Sequence, residues 1–453
     1  MDNITENKLE AEALQEMLSE RRLHEARERL SQLNEVDLAE LLSELSEEQL
    51  SIAFRILPKE LAADTFSYLE SETQQELIQA LSDKELNFLI ENLFLDDTVD
   101  MIEEMPANVV KRILSNTDPV TRREINELLK YPEDSAGSIM TTEYVRLQEA
   151  MTVQQAFDRI RKVGVDKETI YTCYVTNAKR ELMGVVTIKD LLLNDYETLI
   201  GDIMETNLIY ATTTEDQEKV AHSFDRYDLL AIPVVDTDHR LVGIITFDDV
   251  IDVLQEENTE DIERMAAIIP TDKPYIKTSA FETYKKRIPW LLLLMVSATF
   301  TGSIIAHYEQ ALGAYVVLTA YIPMLMDTGG NAGSQASVSI IRGISLEEIE
   351  FKDIFRIQGK EFFVSLLCGV TLAIANFVKL LVFDGVTVTI ALVVCLTLVC
   401  TVIVAKFVGC SLPILAKRVG FDPAVMASPF ITTIVDALSL LIYFQFASHM
   451  LGI

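Results

Sequence analysis

From Ile288 to Ala306 the chain runs without a single charged residue, and roughly 20 apolar residues are what a helix needs to cross a bilayer. Further apolar runs occupy about 311–341, 362–383, 385–416 and 423–453. Backbone surrounded by lipid must satisfy its own N–H and C=O groups, so these runs are expected to form five crossing helices, some interrupted or longer than the bilayer requires. Basic residues gather before the first run (Lys285, Lys286, Arg287), between the second and third (Arg342, Lys352, Arg356, Lys360) and before the fifth (Lys417, Arg418). The loops "HYEQALG" and "DGVTV" carry none. Basic loops stay in the cytoplasm, which predicts a multi-pass membrane protein with cytoplasmic N-terminal domains and its C-terminus outside.

The charge divides along the same line. The formal net charge is −32, yet residues 287–453 hold 9 Lys and Arg against 10 Asp and Glu, whereas residues 1–286 hold 29 against 60. So acidic a soluble half repels a phosphate polymer and predicts divalent cations or basic partners, not nucleic acid. Cys173, Cys368, Cys395, Cys400 and Cys410 show no CxxC spacing and read as buried thiols. "MDNITENKLEAEAL" has no apolar core of the kind a cleaved signal needs.

The soluble half divides again near residue 132. Before it, short amphipathic segments such as "LAELLSEL", "EEQLSIAFRI", "TQQELIQAL" and "ANVVKRILS" recur about every dozen residues, which predicts an all-α superhelical domain over 1–131. Over 132–258 a second repeat appears. "GVVTIKDLL" from Gly184 returns as "GIITFDDVI" from Gly243, with Gly, Thr and Asp displaced together. These copies resemble a tandem pair of CBS modules, an α+β unit. That resemblance makes Thr187, Asp190, Thr246 and Asp249 candidates to hold an adenosine nucleotide such as ATP, while helix capping is the plainer use of a Thr and an Asp at that spacing.

Two polar features stand out in the apolar half. Asp436 lies within "SPFITTIVDALSLLIYF", where an ionised carboxylate costs about 2.5–3.5 kcal/mol on insertion scales and is a functional candidate by default. Ser428, Thr432, Asp436 and Ser439 fall on one helical stripe. The stretch "PMLMDTGGNAGSQ" carries an acid, several amide or hydroxyl side chains and three glycines. Pro323 and the Gly329–Gly330 pair are expected to break that span, freeing carbonyls and the Asn331 amide to line a wet cavity. One carboxylate per chain is a thin coordination set for a small dication, so a twofold homodimer with the pore on its axis is expected. Oxygen donors without Cys or His suit magnesium, though spacing does not separate it from manganese, cobalt or calcium.

The order of acidic superhelix, CBS pair, connecting segment (259–284) and five spans (285–453), with "PMLMDTGGNAGSQ" and "FDPAVMASPFITTIVDALSLLIYF", resembles the MgtE family of magnesium channels along essentially the whole chain. The resemblance implies a dimer in the bacterial plasma membrane, surrounded by lipid, that conducts Mg2+ inward and is shut by Mg2+ bound to its cytosolic domains. It implies a pore formed by Asp436, Asn331, Thr432, Gly329, Gly330 and Ala424, with Asp422 at the cytoplasmic end of the last span. It also implies three sets of regulatory carboxylates. These are Asp64, Asp96 and Asp100; Asp216, Glu218 and Asp228; and Asp248, Asp249, Asp252, Glu257, Glu260 and Asp261. Asp97 is as well placed as Asp96 by eye.

An enzyme is not expected, since no HExxH and no phosphate-binding glycine loop is present. Two alternatives to a channel remain: an ion-coupled exchanger of Mg2+, Mn2+ or Co2+ that uses Asp436, and a membrane sensor that transports nothing.

Overall fold

The computed structural model describes residues 2–271, 275–276, 278–426 and 428–452, in two compact units that divide at Val253 and Leu254. The first begins with helices α1 (Asp2–Ser19), α2 (Leu23–Leu30), α3 (Glu35–Ser43), α4 (Glu47–Ile56), α5 (Lys59–Ser67), α6 (Ser71–Ala80), α7 (Asp83–Asn92), α8 (Leu95–Glu104), α9 (Ala107–Asn116) and α10 (Thr121–Leu128). Their starts are written locally. The Asn34 side chain accepts from the Asp37 N–H, Ser82 and Glu85 form a reciprocal capping box, and Pro58 and Pro106 stand ahead of α5 and α9. Helices two apart pack together, α3 on α5, α4 on α6, α5 on α7 and α7 on α9. The chain therefore winds around Leu38, Leu50, Phe66, Leu77, Leu86 and Ile113, all buried.

Two α+β modules complete this unit. In the first, β1 (Tyr144–Leu147) pairs in parallel with β2 (Thr169–Thr176), which pairs antiparallel with β3 (Leu182–Thr187); α11 (Val153–Val163), α12 (Ile188–Leu193) and α13 (Ile200–Ile203) pack around them. The second repeats the pattern with β4 (Ala211–Thr212), α14 (Gln217–Tyr227), β5 (Ala231–Val235), β6 (Leu241–Thr246) and α15 (Phe247–Met265). The Leu182 N–H donates to the His239 carbonyl and the Leu241 N–H to the Arg180 carbonyl. Tyr174, Leu182, Val235, Leu241 and Ile244 form the apolar seam between the modules. Residue 258, expected to end the second module, lies inside α15, because "FDDVIDVLQEENTEDIERM" holds no Gly or Pro to stop the helix.

The second unit contains α16 (Ala280–His307), α17 (Glu309–Ala314), α18 (Ile322–Ser345), α19 (Ile354–Val382), α20 (Val388–Val419) and α21 (Ser428–Leu451). Among the described residues four segments are long and apolar enough to cross a membrane: Ala280–His307, Phe351–Val382, Val388–Val419 and Ala424–Leu451. The expected fifth, α18, is not among them. Its 24 residues give about 36 Å of helix, so composition and not length sets it apart. α20 is central, packing on α18, α19 and α21, and α16 leans on α21.

α18 also corrects the expected break. It is continuous through Gly329 and Gly330. Pro323 sits in the first turn, where its missing N–H costs nothing. The glycines serve packing: a Cβ on Gly330 would lie 2.6 Å from the Thr432 methyl, and one on Gly329 or Gly333 would lie 2.7 Å from Thr401 or Ile431. Gly409 of α20 meets α18 backbone to backbone, its missing Cβ pointing at the Gly333 carbonyl. Gly409→Ala is therefore expected to lower stability by about 1–3 kcal/mol, read as an earlier thermal unfolding midpoint in detergent. Gly359→Ala, where nothing lies within 4 Å, is the control; equal midpoints for the two variants would refute the close crossing.

Cys173, Cys395 and Cys410 are buried, but Cys368 is exposed and Cys400 half-buried, so the expectation of buried thiols holds for three of the five. Lys406 is buried against Glu361 at 3.1 Å, and Lys379 pairs with Asp384 at 2.9 Å.

Candidate cation sites

The first site is a cavity of about 350 Å³ within the first unit, lined by Glu35, Asp64, Asp96, Asp97, Glu168, Asp248, Asp249 and Asp252 together with Tyr68, Asn92 and Phe94. Three local causes build it. Leu95, Val99 and Ile102 turn α8 inward, which carries Asp96 and Asp97 in its first turn under cover. Thr246 caps α15 through Asp249 (Oγ1 to Oδ2, 2.5 Å), which points the next acids the same way. Glu168 ends the connection into β2, and its Oε2 is buried with no hydrogen-bond partner among the described residues.

Burial together with mutual repulsion raises these carboxyls. Asp96 is pushed up to about 7 by burial and by Asp97, and Asp97 to about 6 by burial and by Asp249 and Asp248. Asp249 is pushed to about 7 and Glu168 to about 8, each by burial and then by Asp96. Asp64 and Asp100 move the same way, Asp100 from the cluster's solvent edge. Among the described residues no three of the acids, histidines or cysteines converge closely enough to grip a bare metal ion. The cavity suits a cation that keeps water between itself and the carboxylates, as magnesium does.

The structure thus joins the first expected set to Asp248, Asp249 and Asp252, and adds Asp97 and Glu168. Glu168 had no sequence signal; it is distant in the chain from every other acid of the cluster. The second set is not assembled. Asp216 caps the start of α14, where its side chain accepts from the Glu218 N–H at 3.0 Å, and Asp228 ends the same helix in a left-handed conformation (φ 52°). The two are separated by the helix's 11 residues. Glu257, Glu260 and Asp261 belong to the second unit. There Arg264 pairs with both Glu260 and Asp422, and the other Asp422 oxygen accepts from the Ala424 N–H at 2.7 Å. Ala424 is buried against Ile341 and Met265.

Thr187 and Asp190 form a complete capping box on α12, with Thr187 Oγ1 donating to Asp190 at 2.6 Å. Both Thr–Asp pairs are thus engaged at helix starts, as the plainer reading expects.

The second site lies on α21 and α18. Asp436 is half-buried, and its Oδ1 is buried without a hydrogen-bond partner among the described residues. Ile431, Val435, Tyr443 and Phe444 turn the apolar face of α21 inward, leaving Thr432 and Asp436 on the flank that meets α18. Ser439 belongs to the packed side, with its hydroxyl donating to the Val435 carbonyl at 2.6 Å. The side chain of Ser428 lies outside the described residues. Gly329 and Gly330 are buried in the contact with α21, whereas Asn331 is exposed. The expected pore residues are therefore brought together on two adjoining helices, except Ala424, which is packed away.

Four stretches match three described families: residues 33–134 the MgtE intracellular N domain, residues 136–196 and 200–256 the CBS domain, and residues 322–446 MgtE, a divalent cation transporter. The chain is 39% identical over 361 residues to the magnesium transporter MgtE of Thermus thermophilus, covering 79% of this chain and 80% of that one. It is 36% identical over 354 residues to the protein of the same name from Bacillus subtilis, covering 78% of each. A solved structure of the cytosolic domain of the Mg2+ channel MgtE in complex with ATP is similar at 40% identity and a TM-score of 0.51, covering 54% of this chain and 99% of that one.

Proposed function

The chain belongs to the MgtE family of divalent cation transporters, and from that premise we propose that it is a gated channel carrying magnesium into the cell. It is a transporter and not an enzyme. The observation that carries the channel reading is Asp436: an acid on a helix long and apolar enough to cross a membrane, with one carboxylate oxygen buried and without a hydrogen-bond partner among the described residues. Such a group is retained where it meets a cation.

In this reading α18 is the fifth crossing helix, and its low hydropathy follows from its place. A helix wrapped by α20 and α21 on its glycine face, with polar residues elsewhere, suits the wall of a water-filled path, not lipid. Two chains related by a twofold axis would bring two Asp436 carboxylates to one pore, wide enough to touch the water shell of Mg2+. Five spans would put the two ends of the chain on opposite faces, and the basic loops support N-terminal domains in the cytoplasm and a C-terminus outside.

The acidic cavity is the proposed sensor. Asp96, Asp97, Glu168, Asp248 and Asp249 would hold a hydrated Mg2+, with Asp64, Asp100 and Asp252 at the rim. A bound dication supplies the positive charge that offsets their repulsion. The carboxylates hold α8, the start of α15 and the approach to β2 together only when that charge or protons are present, so occupancy follows cytoplasmic magnesium. Asp422, Glu260 and Arg264 form a separate ion-paired anchor. The Thr–Asp caps of the CBS pair leave backbone amides at helix starts as the place for ATP.

Current through the purified protein in planar bilayers tests the proposal. Magnesium current at low cytoplasmic magnesium, shut at high, with no dependence on sodium or proton gradients, is the expected result. Gradient-dependent flux without channel current would make the protein an exchanger; no flux in any condition would make it a sensor.

A further inference from the structure

α18 carries an exposed polar stripe that the reading above leaves largely unused. Asp327, Asn331, Gln335 and Ser339 recur every fourth residue, and all four are exposed in the protomer. The opposite flank of α18 is the glycine face packed on α20 and α21. A stripe of this kind facing lipid would leave a carboxylate and two amides without partners, so it faces water.

The helix contacts fix where Asp327 lies along the membrane. Gly333 packs on Ile431, Gly330 on Thr432, and Gly329 on Val435 and Ser439. The two helices therefore run antiparallel, and residue 327, further along the same sequence of contacts, falls within one turn of Asp436, on the side toward the C-terminal end of α21. Given the orientation proposed above, that is the outward side. Among the described residues the two lysines of the neighbouring spans are already paired, Lys379 with Asp384 and Lys406 with Glu361. The Asp327 carboxylate is also close enough to act electrostatically on Asp436.

We propose that Asp327 is a second selectivity-determining carboxylate of the pore, an outer tier that gathers divalent cations from outside and delivers them to Asp436. The inference rests on the reading of Asp436 as a pore residue. In the dimer the two tiers make a short column of four carboxylates. Such a column concentrates a dication more strongly than a monovalent ion, and salt screens the effect.

The test is magnesium flux into proteoliposomes holding the full-length protein, with external magnesium titrated at low and at high salt, for the native chain and for Asp327→Asn, Asp327→Glu and Asp436→Asn. For Asp327→Asn the external magnesium needed for half-maximal flux is expected to rise about tenfold at low salt and much less at high salt. The maximal flux should change little, preference over potassium should fall, and Asp327→Glu should stay near native. A native titration curve for Asp327→Asn, beside an Asp436→Asn variant that no longer conducts, would refute the outer tier and leave the pore intact. Equal damage from Asn and Glu would assign Asp327 to packing and refute it too. Unimpaired flux through Asp436→Asn would remove the pore reading itself, and the outer tier with it.

Discussion

Replacing Asp436 with Asn is expected to reduce magnesium current through the proposed channel about a hundredfold or more, with the protein still folded. The isosteric amide preserves the shape of α21, whose packing rests on Ile431, Val435, Tyr443 and Phe444, so the effect isolates charge. A hydrogen bond to a charged group is worth about 1.5–3 kcal/mol. In the proposed dimer two symmetry-related carboxylates are lost together, which predicts at least about two decades. Asp436→Glu keeps the charge but lengthens the arm, and is expected to conduct at an intermediate level. Single-channel current in symmetric magnesium is the measurement. Native conductance in Asp436→Asn would mean that the buried, unpartnered oxygen does not meet the ion.

The second large effect is a pH-dependent response of the cytosolic unit to magnesium. The folded-state values of Asp96, Asp97, Asp249 and Glu168, about 6 to 8, lie above the roughly 4 of an unfolded carboxyl. Between these limits the folded protein binds more protons than the unfolded chain, so stability falls as pH rises from about 4 through about 8. For Asp96 alone, with a value of about 7, the loss is on the order of 4 kcal/mol at 1.36 kcal/mol per unit. The acids titrate together, and their losses do not simply add.

Magnesium competes with protons for the same carboxylates. At pH 8 it is expected to raise the first thermal unfolding transition of the full-length protein strongly, by about 2.7 kcal/mol at a hundred times its dissociation constant. At pH 5, below the values of Asp96, Asp97, Asp249 and Glu168, the shift should be much smaller. Glu168→Gln is expected to stabilise the magnesium-free protein at pH 8 and to blunt the response, because it removes a charge whose Oε2 is buried without a hydrogen-bond partner among the described residues. A magnesium shift equal at both pH values would separate the cavity from cation sensing.

What was legible in the chain was what periodicity carries. Amphipathic repeats marked the helix ladder, and their caps, Asn34 and Ser82 among them, are local. The Thr–Asp repeat marked the paired modules. Uncharged runs marked the long apolar helices, since hydrocarbon tolerates few alternatives to an uncharged helix. Where sequence reasoning failed, a local propensity was overruled by packing. Gly329 and Gly330 weaken an isolated helix, yet in α18 the surfaces of α20 and α21 fill the space their side chains leave open.

The sequence by itself determined the division into an acidic part and an apolar part, the helices and strands of each, and the singular position of Asp436, because all of these depend on residues near one another in the chain. Only the tertiary structure decided which acids share a cavity, that Glu168 is one of them while Asp216 and Asp228 stand apart, that Asp422 is tied to Arg264, and that Asp327 lies within a turn of Asp436. Coulomb interaction depends on distance through space, and no pattern along the chain records that distance until the helices have packed.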